Sequence, residues 1–134
     1  RSTTGTKFFL ADGPVQFSSS LQRIIAISTT EAELIALPKC GDFGTYLFDL
    51  LPELGWSSIE SASIYSDSQS APNISSNTNY GSSSKHVAIM FFDLYDIIRT
   101  GKLKTNHVRS GHQLADILTK FCSKVILQRL LKAV

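Results

Sequence analysis

Between Ile27 and Glu31 the hydrophobic pattern changes period, and that change constrains the fold more than any other feature of the sequence. Upstream, "TKFFLADGPVQFSSSLQRIIAIS" holds two apolar runs, Phe8-Phe9-Leu10 and Ile24-Ile25-Ala26-Ile27, with Val15-Gln16-Phe17 between them. With the Asp12-Gly13-Pro14 turn signal, the segment reads as an antiparallel hairpin or meander. Downstream, "STTEAELIALPKCGDFGTYLFDLLPELGW" places its apolar residues at helical spacing. Ser28 is the expected N-cap, and Glu31 three residues later completes a capping box. Leu47, Leu50, Leu51 and Leu54 form a second apolar helical face, closed by Gly55. Pro38 falls inside this region, and a proline in a helix interior costs about 3 kcal/mol. A kink or break is therefore expected there, with Gly41 and Gly44 loosening the join.

Beyond Gly55 the elements are shorter. Residues 62 to 66 read as a strand, "NISSNTNYGSSSK" as a loop, and Val87 to Thr100 as a helix. Residues 102 to 109 suit a last strand, and Gly111 to Leu131 a last helix. The order strand, strand, helix, strand, helix, strand, helix predicts an α/β domain with a mixed sheet flanked by helices. At 134 residues with 43% apolar and 18% charged content, residues 1–134 are expected to form one soluble domain with a real core. Asp93, Asp96 and Glu53 interrupt the longest apolar stretches, well short of the roughly 20 residues that span a membrane. The opening "RSTTGTKFFL" has neither the apolar core nor the cleavage site of a signal peptide. Cys40 and Cys122 lie far apart and in no metal-ligand spacing, so an intracellular chain with reduced thiols is expected. Asn73-Ile74-Ser75 fits the glycosylation pattern, which matters only in a secretory setting.

Charge is unevenly spread. Residues 1 to 98 carry five Lys or Arg against ten Asp or Glu, whereas residues 99 to 134 carry eight against Asp116 alone. Such a basic segment, with Lys102, Lys104 and Arg109 at its start, can track a phosphate backbone. A solvated face is the plainer account of the same charges.

The carboxylates then demand an explanation. In "STTEAELIAL" Glu31 and Glu33 are two residues apart, which on a helix points them to nearly opposite sides. Glu31 is satisfied in the capping box. Glu33 sits beside Leu34 and Leu37, where a carboxylate is costly without a partner, although alone it is a surface glutamate. Asp67, in "SDSQSA", stands at the tip of the strand at 62 to 66. Strand tips are where α/β proteins open their ligand crevices, and an aspartate there is otherwise an ordinary cap. Asp116, in "GHQLADILTK", lies in the first turns of the last expected helix, where Ser110 and Gln113 look like another capping box. Three carboxylates able to reach one crevice suit magnesium, two ions of which assist in-line attack at phosphorus. Metal-assisted phosphodiester hydrolysis is the chemistry this pattern predicts.

These blocks also resemble a known family. "RSTTG", "FFL", "GPVQFSS", "IAISTTEAELIAL", "IYSDSQSA", "SKHVAI" and "HQLADILTK" are similar to the ribonuclease H domain of copia-type long-terminal-repeat retrotransposon Pol polyproteins, over nearly the whole chain. The resemblance implies a ribonuclease H-like fold and magnesium- or manganese-dependent cleavage of the RNA strand of RNA–DNA hybrids during reverse transcription. By motif, Glu33 in "AEL", Asp67 in "SDSQ" and Asp116 in "LAD" take catalytic and metal-ligand roles. Lys85 and His86 in "SKH" resemble the family's "TKH" block, a backbone-contacting pair or equally a helix N-terminal surface pair, and His112 stands where cellular ribonucleases H carry a histidine that assists product release, an exposed loop histidine being the plainer account. Implied partners are the hybrid and the reverse transcriptase portion of the same polyprotein, in the cytoplasm, a virus-like particle or the nucleus.

The departures from the pattern carry expectations of their own. Family members open the domain with a strand ending in an "SDADWAG"-like stretch, whose first aspartate completes the two-ion site. This sequence starts just after it, and Asp12, in a hairpin turn, is no substitute. The domain is thus expected to be N-terminally truncated, lacking its first, central strand, with unpaired edges that favour self-association. "KHVAIMFF" replaces the family's "KHIDIRYHF". The alternative function is a non-catalytic remnant or domesticated module that keeps the fold for nucleic-acid or protein contact.

Overall fold

The computed structural model describes residues 1–56, 59–68 and 85–132, with the backbone alone at 85–87, 90 and 132. The chain opens with strands β1 (Thr3–Leu10) and β2 (Gly13–Leu21), paired antiparallel from Thr3↔Leu21 to Leu10↔Gly13. The turn apex is Ala11-Asp12, both at positive φ (47° and 63°), the backbone of a two-residue type I′ hairpin. The register shifts between Phe8, opposite Gln16, and Phe9, opposite Pro14. A proline has no N–H to give the ladder, so a bulge beside it relieves the pairing. Alternation along β1 buries Thr4 and Thr6 and places Phe8 against Phe43, ring centroids 4.4 Å apart.

The second apolar run is not a strand. Ile24 to Ile27 follow an irregular path, with Ile25 and Ile27 exposed. The ladder closes at Gln22, whose N–H reaches the Ser2 carbonyl, and the Ile27 N–H is taken by Glu31 Oε2 at 2.6 Å. The helix N-terminus therefore claims a backbone donor that a strand would need.

Helix α1 (Thr29–Glu53) begins as expected, with Ser28 Oγ accepting from the Glu31 N–H at 3.1 Å. It then runs unbroken through Pro38, contrary to expectation. Leu34, Ile35 and Leu37 are buried before the proline and Leu51 after it. At about 1.5–3 kcal/mol for each buried side chain, packing on both sides outweighs the roughly 3 kcal/mol the proline costs. Gly41 and Gly44 do not loosen the helix. A Cβ at Gly41 would stand 3.0 Å from Leu94 Cδ1, and one at Gly44 3.1 Å from Leu103 Cδ2. The two glycines let α1 approach its neighbours closely. Leu54 caps the helix, followed by Gly55 at φ 84°.

Strand β3 (Ala62–Ser66), helix α2 (Lys85–Arg99) and strand β4 (Leu103–His107) follow close to their expected positions, β3 and β4 parallel from Ala62↔Leu103 to Ser66↔His107. The "NISSNTNYGSSSK" loop and the Asn73-Ile74-Ser75 pattern lie outside the described residues. Leu34 and Leu37 of α1, Ile64 of β3, Phe91 and Leu94 of α2, and Leu103 of β4 form the core. Instead of one long last helix, the chain makes two 3-10 turns, Ser110–His112 and Leu114–Leu118, before α3 (Lys124–Lys132). Gln113, at φ −72° and ψ 103°, breaks the helix between the turns. The turns are tied down by Ser19 Oγ donating to the Leu118 carbonyl at 2.7 Å and Arg129 Nη2 donating to the Gly111 carbonyl at 2.6 Å.

The architecture is mixed α/β, and among the described residues the strands form two separate two-stranded pairs, β1–β2 and β3–β4, with a gap where the first, central strand is expected to be missing. β1 packs on α1 and β4 on α2, while Leu103 of β4 also meets α1 at Gly41 and Gly44. Both Cys40 and Cys122 are free thiols. Among the described residues no helix is long and apolar enough to cross a membrane.

Candidate active site in the cleft between the strand pairs

A cavity of about 1110 Å³ separates β1 from β3, floored by α1 and walled by the 3-10 turns. Glu33, Asp67 and Asp116, the three carboxylates singled out from sequence, all line it, as does His112. Each arrives on a different element: Glu33 from the first turns of α1, Asp67 from the end of β3, and Asp116 from the turn Leu114–Leu118. Glu31 is buried in its capping role and does not line the cavity, so the two glutamates divide as helical geometry requires.

Local hydrogen bonds fix these positions. Beside Asp67, Ser66 Oγ accepts from the Ser68 N–H at 3.1 Å, and the Ser66 carbonyl accepts from Val108 N–H at 2.9 Å. Gln113 does not act in a capping box. Its Nε2 donates to the Tyr65 carbonyl at 3.2 Å and tethers the Asp116 turn to β3. The Asp116 carbonyl accepts from both Thr119 and Lys120 N–H groups.

Lys120 is the site residue that sequence reasoning missed. Its Nζ lies 3.0 Å from Asp116 Oδ1 and 3.1 Å from Oδ2. Desolvation pulls the ammonium pKa down most. The hydrogen bond and charge of Asp116, with the charges of Asp67 and Glu33, outweigh that effect and raise it. The signal was present in the sequence, since Asp116 and Lys120 are four residues apart, but it reads as an ordinary surface pair.

The residues as arranged do not fit a metal centre. Among the described residues, no three His, Cys, Asp or Glu side chains come close enough together to hold an ion. Both oxygens of Asp116 face Lys120 instead. Cys40 also lines the cavity, but burial pushes its thiol up to about 11, so it stays protonated and unreactive near neutral pH. Lys102 just before β4, Lys104 and His107 on it, and Arg109 just after it are exposed. The side chains of Lys85 and His86 lie outside the described residues, although their backbone opens α2.

The sequence has close counterparts among curated proteins. It is 35% identical over 120 residues to the Retrovirus-related Pol polyprotein from transposon TNT 1-94 of Nicotiana tabacum, covering 90% of this chain. The corresponding polyproteins from transposons RE2 and RE1 of Arabidopsis thaliana are each 32% identical over 127 residues, 95% of this chain. The chain is homologous to a region of retrotransposon Pol polyproteins. That Pol region spans 9% of the length of each of these relatives. Neither a family profile nor a solved structure matches it.

Proposed function

We propose that this Pol region is a ribonuclease H-like domain that binds RNA–DNA hybrids and, once its site is completed, hydrolyses their RNA strand. One observation carries the reading: three separate elements deliver Glu33, Asp67 and Asp116 to a single cleft, in the "AEL", "SDSQ" and "LAD" blocks that resemble the copia-type domain. Carboxylates gathered at one crevice serve phosphoryl chemistry by positioning cations and water against the scissile phosphate. Here they do not converge as a ligand set, and completion requires the further aspartate that the resemblance places on an upstream strand. The Asp116–Lys120 pair and that lack of convergence favour a second reading for the 134 residues by themselves, a hybrid-binding module without hydrolysis.

Cleavage of a labelled RNA–DNA hybrid with magnesium or manganese tests both readings. The 134-residue chain is expected to leave the hybrid intact, and a version extended upstream by an aspartate-bearing strand is expected to cut it. In the extended version Asp67→Asn should abolish cleavage while changing hybrid affinity less than about twofold, because phosphate contacts rather than Asp67 position the duplex. An extended chain that never cuts, or one that cuts equally well with Asp67→Asn, refutes the hydrolase reading.

A further inference from the structure

We propose that the pocket between the hairpin and the middle of α1 is a binding site for a guanine base. Its floor is two cross-strand pairs, Thr6↔Ser18 and Phe8↔Gln16, and its wall is Lys39, Asp42, Phe43 and Tyr46 of α1. Side chains directly opposite each other in an antiparallel pair share a face, and residues spaced i, i+3, i+4, i+7 share one side of a helix, so both halves of the site follow from the elements that carry them. The pocket has a volume of about 370 Å³, at the lower end of the roughly 300–1,000 Å³ of small-ligand sites. It shares only Thr6 and Phe8 with the cleft and none of its carboxylates, so it depends neither on the hydrolysis reading nor on what fills the cleft.

The aromatic groups call for a flat guest. Phe8 and Phe43 pack against each other, whereas Tyr46, its ring centroid 5.9 Å from that of Phe43, is 56% exposed. It leaves ring surface on which a base can stack, an interaction open to every nucleobase. The floor then asks for a donor. Gln16 Oε1 is closed off from solvent and has no hydrogen-bond partner among the described residues, and an acceptor left so is a cost that a guest's N–H removes once the amide turns to meet it.

The two charges choose among the bases. Asp42 is exposed, and its carboxylate is an acceptor only. Lys39 is its opposite: the ammonium donates to Ser20 Oγ and keeps further N–H groups to give. Guanine alone among the common bases sets an N1–H beside a 2-amino group, a fork that matches a carboxylate. The same base carries O6 and N7, acceptors that suit a lysine. The second hydrogen of the 2-amino group is left for Gln16 Oε1. Adenine, cytosine and uracil lack the fork, so they can stack on Tyr46 without satisfying Asp42.

Titration of the full 134-residue chain with GMP, AMP, CMP and UMP, followed by amide NMR, tests the site without reference to cleavage, so its failure would leave the hydrolysis reading standing. GMP should shift the Gln16 side-chain amide and the backbone amides from Lys39 to Tyr46. It should bind at least about tenfold more tightly than AMP, the discrimination that a bidentate base contact supplies. Asp42→Asn, at an exposed position, should move the preference to xanthosine monophosphate, because the asparagine amide donates to the carbonyl that xanthine has in place of the amino group. Tyr46→Ala should weaken every nucleotide. The pentanucleotides r(UUGUU) and d(TTGTT) identify the source of the base: binding tighter than GMP assigns it to a strand, and binding no tighter assigns it to free nucleotide. No shift at the pocket, equal affinity for AMP and GMP, unchanged binding by Tyr46→Ala, or an Asp42→Asn chain that still prefers guanine to xanthine overturns the proposal.

Discussion

Gly5→Ala should unsettle the Asp116 turn from the far side of the cleft. A Cβ at Gly5 would stand 2.6 Å from Thr119 Cγ2, 2.9 Å from the Ala115 carbonyl oxygen and 3.1 Å from Leu118 Cβ. The threonine methyl belongs to a side chain that can turn, but the carbonyl is backbone, so relief requires the turn Leu114–Leu118 to move away from β1. Overpacking of this kind costs about 1–3 kcal/mol, and the lost freedom of the unfolded chain returns about 0.4–1 kcal/mol. The net loss should be about 1.3 kcal/mol at mid-range, within about 0–2.6 kcal/mol, read from urea unfolding followed by circular dichroism. Thr119→Ser removes the nearest methyl and leaves the carbonyl in place. Gly5→Ala should therefore cost about 0.5–1 kcal/mol less in that background, a coupling that a double-mutant cycle measures. Hydrogen exchange should quicken across Ala115 to Lys120. A stabilising Gly5→Ala, or a cycle with no coupling, would refute the close packing of this turn on β1.

Three further outcomes test other parts of the molecule. Cys40 has its folded pKa raised from 9.0 to about 11, so its burial contributes stability that is full below pH 9 and is lost as pH rises from 9 to 11; Cys40→Ala should flatten that part of the stability profile. Glu31→Gln keeps an oxygen for the Ile27 N–H and should cost about 1 kcal/mol or less without affecting cleavage by the extended chain, whereas Glu33→Gln should impair it; the reverse would show the two glutamates misassigned. Replacing exposed Lys102, Lys104 and Arg109 together with alanine should reduce the slope of log affinity against log salt for a hybrid by up to about 3, near 0.9 for each phosphate no longer neutralised, and an unchanged slope would leave these residues a solvated face.

Local chemistry made much of this fold legible from sequence. The Ser28 cap of α1, with Glu31 reaching back to the Ile27 N–H rather than to that of Ser28, the hairpin, and the order of strands and helices follow from spacing and side-chain type within a few residues, which is the range over which backbone hydrogen bonding and amphipathic periodicity act. The same locality explains the errors. Pro38 breaks an isolated helix, yet here burial on both sides holds α1 together. Ile24 to Ile27 have the composition of a strand, but the helix N-terminus takes the Ile27 donor. The stretch from Gly111 has helical spacing, but Gln113 reaches the Tyr65 carbonyl, 48 residues away in sequence, and the helix gives way to turns.

The carboxylates divide along the same line. Sequence singled out Glu33, Asp67 and Asp116 as candidates and separated Glu33 from Glu31, because residue type and helical phase are properties of the chain itself. Their shared cleft and the Lys120 ammonium against Asp116 were settled by tertiary structure alone. Which surfaces meet depends on how α1 is drawn against Leu94 and Leu103 at its two glycines, and close packing between distant segments leaves no trace in the local pattern of either.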